Sequence, residues 1–261
     1  MTFNIGDLVT RFSYNHDTVF KIKEINNNIA YLKGVNVRLC ADSEIADLKK
    51  YDKKEEEEKD DDNYDDTIKD FINLDRESFF YLPGKVLHID SDKDYLDRCL
   101  KFYKKSNVMA YGIHIGEEDA TKNITKYLQD TNPDIVVITG HDALYKKQDK
   151  NNLNSYKNSS NFIKSIKAAR KYEKSPDKLI IIAGACQSDY EELIKAGATF
   201  ASSPKRINIH ALDPAIIASM ICLSDKSEDI DLLNILEKTK YGSNGMGGLK
   251  TKGMMYVGYP R

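Results

Sequence analysis

Between residues 81 and 202, short aliphatic runs alternate with stretches whose apolar residues recur every three or four positions. The runs lie at 85–90 (KVLHID), 108–115, 134–139 (DIVVIT), 179–183 (LIIIA) and, more briefly, 199–202. Apolar runs of this length, bounded by polar turns, read as strands covered on both faces. Helical spacing fills the gaps at 95–105, 124–128, 162–172 and 191–195, as in Tyr95, Leu96, Cys99, Leu100 and Tyr103. Two more helices are predicted over 214–223 and 229–239. A glycine-rich turn, GSNGMGG, and a last strand at 254–257 follow them. Strands alternating with helices predict an α/β fold, a doubly wound and mainly parallel sheet.

The first fifty residues are patterned differently. Short alternating runs at 7–9, 19–22, 29–32 and 37–39 are separated by turn residues at Gly6, Asn26 to Asn28 and Gly34. That spacing predicts a small all-β barrel. The opening IGDLVTR resembles SH3-like and KOW-like barrels, modules that mostly bind protein or RNA; a structural or regulatory role fits equally. Residues 52–66, DKKEEEEKDDDNYDD, hold ten acidic and three basic side chains. Like charges at that density read as a solvated tether. The expected organisation is a barrel at 1–50, an acidic linker at 51–78 and an α/β domain at 79–261.

Charge changes this picture by exclusion. With 39 basic and 41 acidic side chains, the chain lacks the basic excess of a polyanion binder, and no nucleic-acid partner is expected. No apolar run approaches a bilayer span, so no membrane partner is expected either. The N-terminus, MTFNIGDLVTRF, lacks the basic-then-apolar layout of a secretory signal and reads as cytosolic. Cys40, Cys99, Cys186 and Cys222 form no CxxC pair, and no His/Asp/Glu cluster has ligand spacing. Free thiols, no metal and no cofactor are expected. The first strand leads into DSDKDY, not a glycine-rich phosphate loop, so there is no dinucleotide fingerprint. Nothing in the sequence marks an oligomeric state.

Ligands of open parallel sheets sit beyond the carboxyl ends of the strands. There the sequence puts His88 and Asp90, His114, the run Thr139-Gly140-His141-Asp142, the run GACQS at 184–188, and Ser202 and Ser203. His141 and Cys186 each follow an aliphatic strand and a glycine or alanine. If those two strands are neighbours, their ends lie roughly 5 Å apart. An imidazole so placed can ionise a thiol or act as acid and base in acyl transfer. Backbone N–H groups at Cys186 and Asp142 would face a developing oxyanion. Taken alone, a cysteine at a strand end reads as packing; His141 opposite it brings the nucleophile reading level. Cys40, Cys99 and Cys222 read as packing residues, His16 as a loop residue, and His88 and His210 as rivals to His141.

An aliphatic strand ending in Gly-His, followed 45 residues later by one ending in Ala-Cys, resembles the caspase–gingipain–legumain group of cysteine peptidases. Asp142 stands where that group usually has glycine. A longer likeness spans the chain: FNIGDLVTRFSYNHD, VRLCADS, PGKVLHID, YGIHIGE, ITGHDA, AGACQS and AGATFASSPKRINIHALDP. In these motifs the chain resembles the YabG family, sporulation-specific proteases of spore-forming Firmicutes. The resemblance implies a caspase-like fold and cleavage after arginine. It also implies processing of spore coat and cortex-related proteins in the mother-cell compartment, with Cys186 as nucleophile and His141 as general acid/base.

An arginine pocket needs a carboxylate that accepts the guanidinium. Asp90, Asp142, Asp189 and Asp213 are candidates. Asp142 and Asp189 are preferred because they flank the His and Cys, although Asp189 also suits a helix N-cap, and Ser202 is read as lining the pocket. Arg76, where the acidic linker ends, is a candidate self-processing site or an ordinary helix-flanking charge. The other class compatible with these residues is a non-catalytic α/β binding or scaffold protein of the spore coat, with Cys186 inert.

Overall fold

The computed structural model describes residues 2–51 and 75–260. The acidic segment therefore falls largely outside the described residues. The N-terminal portion is a five-stranded antiparallel sheet. It contains β1 (Leu8–Arg11), β2 (Phe20–Asn26), β3 (Ile29–Gly34), β4 (Cys40–Glu44) and β5 (Leu48–Lys50), in the order β4-β3-β2-β1-β5. Val9, Phe20, Ile22, Ala30 and Leu32, on the inward-alternating positions, form its buried face. Residues 37–39, expected as a barrel strand, do not join this sheet, and β4 starts only at Cys40. Val37 forms an antiparallel bridge with His210 instead. The local Val-Arg-Leu alternation is satisfied by a distant partner.

The second sheet holds β7 (Lys85–Asp90), β8 (Met109–His114), β9 (Ile135–Thr139), β10 (Ile180–Ala183), β11 (Phe200–Ser202) and β12 (Met246–Gly248). Its order is β12-β11-β10-β9-β7-β8. The first five of these strands are parallel, and β12 is antiparallel to β11. The doubly wound, mainly parallel expectation thus holds for this sheet, and β9 and β10 are neighbours. β12 replaces part of the expected glycine-rich turn. The last strand, β13 (Tyr256–Gly258), pairs with β6 (Phe80–Leu82) in a separate two-stranded ribbon.

Alternate positions along the strands feed two cores. Val86, Val137, Ile180, Ile182 and Phe200 pack with α1 (Lys93–Lys105) and α5 (Asp213–Cys222), and Leu87, Val136, Ile138 and Ile181 with α2 (Glu117–Thr131) and α3 (Ser159–Tyr172). α5 is buried at every position, which explains its lack of a polar face. Two short helices, α4 (Tyr190–Lys195) and α6 (Leu232–Glu237), complete the fold. Among the described residues, no helix is long and apolar enough to cross a membrane.

The N-terminal sheet is clamped to the α/β portion by α1. Tyr95 Oη lies 2.5 and 2.8 Å from the Gly34 and Val37 carbonyls, which share its one proton, and Arg98 Nη1 donates to the Val35 carbonyl at 2.8 Å. Lys33 Nζ reaches Asp92 at 2.6 Å and Asp94 at 2.7 Å. These contacts converge on residues 33–37, the end of β3 and the connection to β4.

Candidate active site

The carboxyl ends of β7, β9 and β10 form one edge. β9 delivers Gly140 and His141. A Cβ on Gly140 would strike Ser91 Oγ and Glu117 Oε1; its absence lets Glu117 Oε1 accept the His141 N–H at 2.9 Å. The imidazole is anchored from the other side by Asp92, whose Oδ2 lies 3.0 Å from Nε2. Asp92 is also the N-cap of α1, accepting from the Asp94 and Tyr95 N–H groups. The helix start thereby fixes the histidine's partner. Burial works against the Asp92 carboxylate, but hydrogen bonds from His141 and Lys33 outweigh it and hold its pKa well below the usual carboxylate range. Burial likewise opposes the His141 imidazolium. The bonds to Asp92 and then Cys40 reverse that, and the pKa rises to about 9.

The thiol against His141 is Cys40, with Sγ 3.5 Å from Nδ1 and 3.7 Å from Nε2. Its assignment as a packing residue is corrected: Cys40 is exposed, at the first position of β4. The sequence has no histidine near it because the contact crosses from the N-terminal sheet to the end of β9. Cys99 and Cys222 are buried as expected.

Cys186 follows β10 through Gly184, whose φ of +107° is open to glycine and strained for other residues. It is wholly buried. Its Sγ accepts from the Ile209 N–H at 3.3 Å and lies 3.8 Å from the Ile209 carbonyl. No described hydrogen bond joins it to His141. Burial pushes the thiol up to about 12, against smaller opposing contributions from Ile209 and Arg38. The neighbouring N–H groups are occupied: Ala185 by Ser188 Oγ, Gln187 by Ser203 Oγ, Ala143 by its neighbour Asp142. Among the described residues, no hydrogen bond uses the N–H of Cys186 or of Asp142.

The pocket candidates differ in what they already hold. Asp142 accepts from Ser159 Oγ at 2.5 Å, Ser188 Oγ at 2.8 Å and the Asn158 and Ala143 N–H groups. Asp189 meets Arg206 at 3.1 Å. Asp213 accepts from the His210 and Lys240 N–H groups, and Ser202 Oγ donates to the Ala185 carbonyl at 2.7 Å. Asp90, wholly buried, holds a guanidinium: Arg38 Nη1 is 2.5 Å from its Oδ2. Burial opposes the Asp90 carboxylate and the Arg38 charge more than compensates, so its pKa lies below the usual range. Thr139 Oγ1 donates to Asp90 at 2.8 Å and lies 3.0 Å from His88 Nε2. His88 therefore belongs to the floor beneath Asp90. His210, the other rival, is buried at the bridge to Val37; His114 lies at the sheet edge, against the Ser91 carbonyl at 3.2 Å. Arg76 is exposed in a turn before β6. Asp92, Arg38 and Glu117 were not singled out from sequence. For Asp92 the signal was present, an Asp preceding the apolar-periodic helix that begins at DSDKDYL.

Comparison with known proteins adds the biological setting. A family model described as YabG peptidase U57 matches residues 4–260. The chain is 42% identical over 286 aligned residues to the Sporulation-specific protease YabG of Bacillus subtilis (strain 168), covering 100% of this chain and 99% of that protein. The chain belongs to the YabG peptidase family of sporulation proteases.

Proposed function

We propose that this protein is a cysteine endopeptidase that cleaves after arginine, with Cys186 as nucleophile and His141 as general acid and base. The observation that carries the reading is the position of the two residues at the ends of adjacent parallel strands, β9 and β10. The unused N–H groups of Cys186 and Asp142 at the same edge support it as oxyanion donors. His141 takes the Cys186 thiol proton, the sulfur attacks the arginyl carbonyl, and the oxyanion is met by those two N–H groups. His141 passes its proton to the leaving amine. Water, deprotonated by His141, then releases the acyl group and regenerates the thiol. Asp92 holds the ring and favours its protonated form. The described geometry is a resting one: Cys186 must become exposed before it can ionise and attack.

Spore coat and cortex-related proteins in the mother cell are the proposed substrates, a reading supported by the sporulation-specific naming of the relative. Exposure of the turn at Arg76 supports self-processing there. The contact between Cys40 and His141 favours a second reading, in which Cys40 is the nucleophile.

Hydrolysis of an arginyl fluorogenic peptide, beside its lysyl counterpart, tests the proposal in wild type, Cys186→Ala, His141→Ala and Cys40→Ala. Loss in the first two variants with folding retained is expected. Loss in Cys40→Ala with activity intact in Cys186→Ala would move the nucleophile to Cys40. Activity in every variant would remove the thiol mechanism.

A further inference from the structure

Residues 36–38 lie antiparallel against residues 209–211, an isolated bridge outside the named sheets. The Arg38 N–H donates to the Ile209 carbonyl at 3.2 Å, and the Ala211 N–H donates to the Asn36 carbonyl at 3.0 Å. Val37 and His210 sit opposite one another between these two bonds. The two backbone bonds flanking one residue pair are the local antiparallel pattern by which an extended peptide is held. The Ile209 carbonyl that receives the Arg38 N–H also faces Cys186 Sγ, so the Arg38 backbone borders the proposed nucleophile.

The Arg38 side chain leaves this bridge and enters a closed pocket. It is wholly buried, with Nη1 on Asp90, Nε and Nη2 on the Ala211 carbonyl at 3.2 and 2.9 Å, and Nη2 3.5 Å from Cys99 Sγ. The Tyr95 ring lies 5.2 Å from the guanidinium carbon. A carboxylate, a carbonyl and an aromatic wall around one guanidinium make a specific arginine receptor. Two residues further along, Cys40 covers His141. One short segment therefore touches the arginine pocket, the nucleophile and the catalytic imidazole.

We propose that residues 36–40 are a built-in pseudosubstrate: Arg38 occupies the pocket that selects substrate arginine, and Asp90 is the carboxylate of that pocket. This rests on the peptidase reading above and deepens it. The chain leaves Arg38 unlike a cleavable peptide. The Leu39 N–H turns back to the Val37 carbonyl at 2.8 Å, and the Gly34 N–H takes the Leu39 carbonyl at 2.7 Å. The segment is thus returned to the N-terminal sheet, an inhibitor's path through the cleft. Substrate must displace it, and apparent affinity falls by the fraction of time the cleft stands open. The buried, un-ionised Cys186 thiol follows from the same occupancy.

The test uses the full chain and a fluorescein-labelled peptide with the sequence of residues 35–38, Val-Asn-Val-Arg, followed by anisotropy in a Cys186→Ala background. Arg38→Ala is expected to bind the peptide at least about tenfold more tightly than the chain with Arg38 intact. Adding Asp90→Asn should abolish the gain, and a peptide ending in lysine should bind less well. Should Arg38→Ala fail to fold by circular dichroism, Arg38→Lys keeps the charge beside Asp90 and should give a smaller gain. In the catalytic chain the same Arg38 substitution should raise kcat/KM on the arginyl peptide through a lower KM. Equal binding with and without Arg38 would overturn the proposal, because a merely structural ion pair opens no site when removed. Binding gained without turnover in any variant would leave the pocket standing and retire the peptidase chemistry. Turnover that depends on Cys186 but not on Arg38 would do the reverse.

Discussion

Replacing Asp92 by Asn should change how folding stability depends on pH, and the structure fixes both the sign and the size. Asn keeps the N-cap of α1 and the shape of the site but removes the charge on His141 Nε2. His141 has a folded pKa of about 9, against roughly 6.5 for an unfolded histidine. A raised pKa stabilises fully below the unfolded value, and that stability is lost as pH rises through the folded one. At pH 7 the difference corresponds to about 2–3 kcal/mol, and at pH 10 to almost nothing. Urea unfolding at pH 7, 8, 9 and 10, with Cys186→Ala in both chains to prevent digestion, measures it. The difference between the parent chain and the Asp92→Asn variant cancels the titration of groups that do not touch Asp92, and Lys33→Met in both chains removes the one lysine bound to it. It should shrink by about 2–3 kcal/mol across that range. A constant difference would refute the argument, as would a His141 imidazole titrating near its ordinary value by NMR in the parent chain.

Asp90→Asn leaves the buried Arg38 guanidinium without its counter-charge and should destabilise the chain by about 3–5 kcal/mol in urea titration. Among the four cysteines only Cys40 is exposed, so a disulfide reagent should label one thiol rapidly in the native protein and four after unfolding. Gly184→Ala forces a side chain into a φ of +107° and against Ser202 and Leu193. It should cost at least about 1–3 kcal/mol by thermal unfolding, with loss of peptide hydrolysis.

The parallel sheet was legible because its strands announce themselves. KVLHID and LIIIA are almost wholly buried and sit within a residue of β7 and β10. The adjacency of the His141 and Cys186 strands followed from a common strand order. β12 was not legible, since Met-Gly-Gly has no strand signature. Its glycines are required by the Tyr190 and Phe200 rings, which lie where a Cβ would stand at Gly247 and Gly248. Residues 36–40 misled for a related reason. Their alternation specifies an extended strand but not its partner, and the partner at 209–211 comes about 170 residues later. Cys40 and Arg38 acquire their chemistry only through that long-range pairing. Asp90 could be named as a carboxylate at the right edge, whereas its guanidinium partner could not.

The central claim, a Cys186 nucleophile serving an arginine-selective site, is tested most directly by an arginyl chloromethyl ketone. Full-length protein is incubated with the reagent, digested and mapped by mass spectrometry. The account predicts an adduct on Cys186 that disappears with Asp90→Asn and increases with Arg38→Ala. An adduct confined to Cys40, with Cys186 unmodified in every variant, would contradict it.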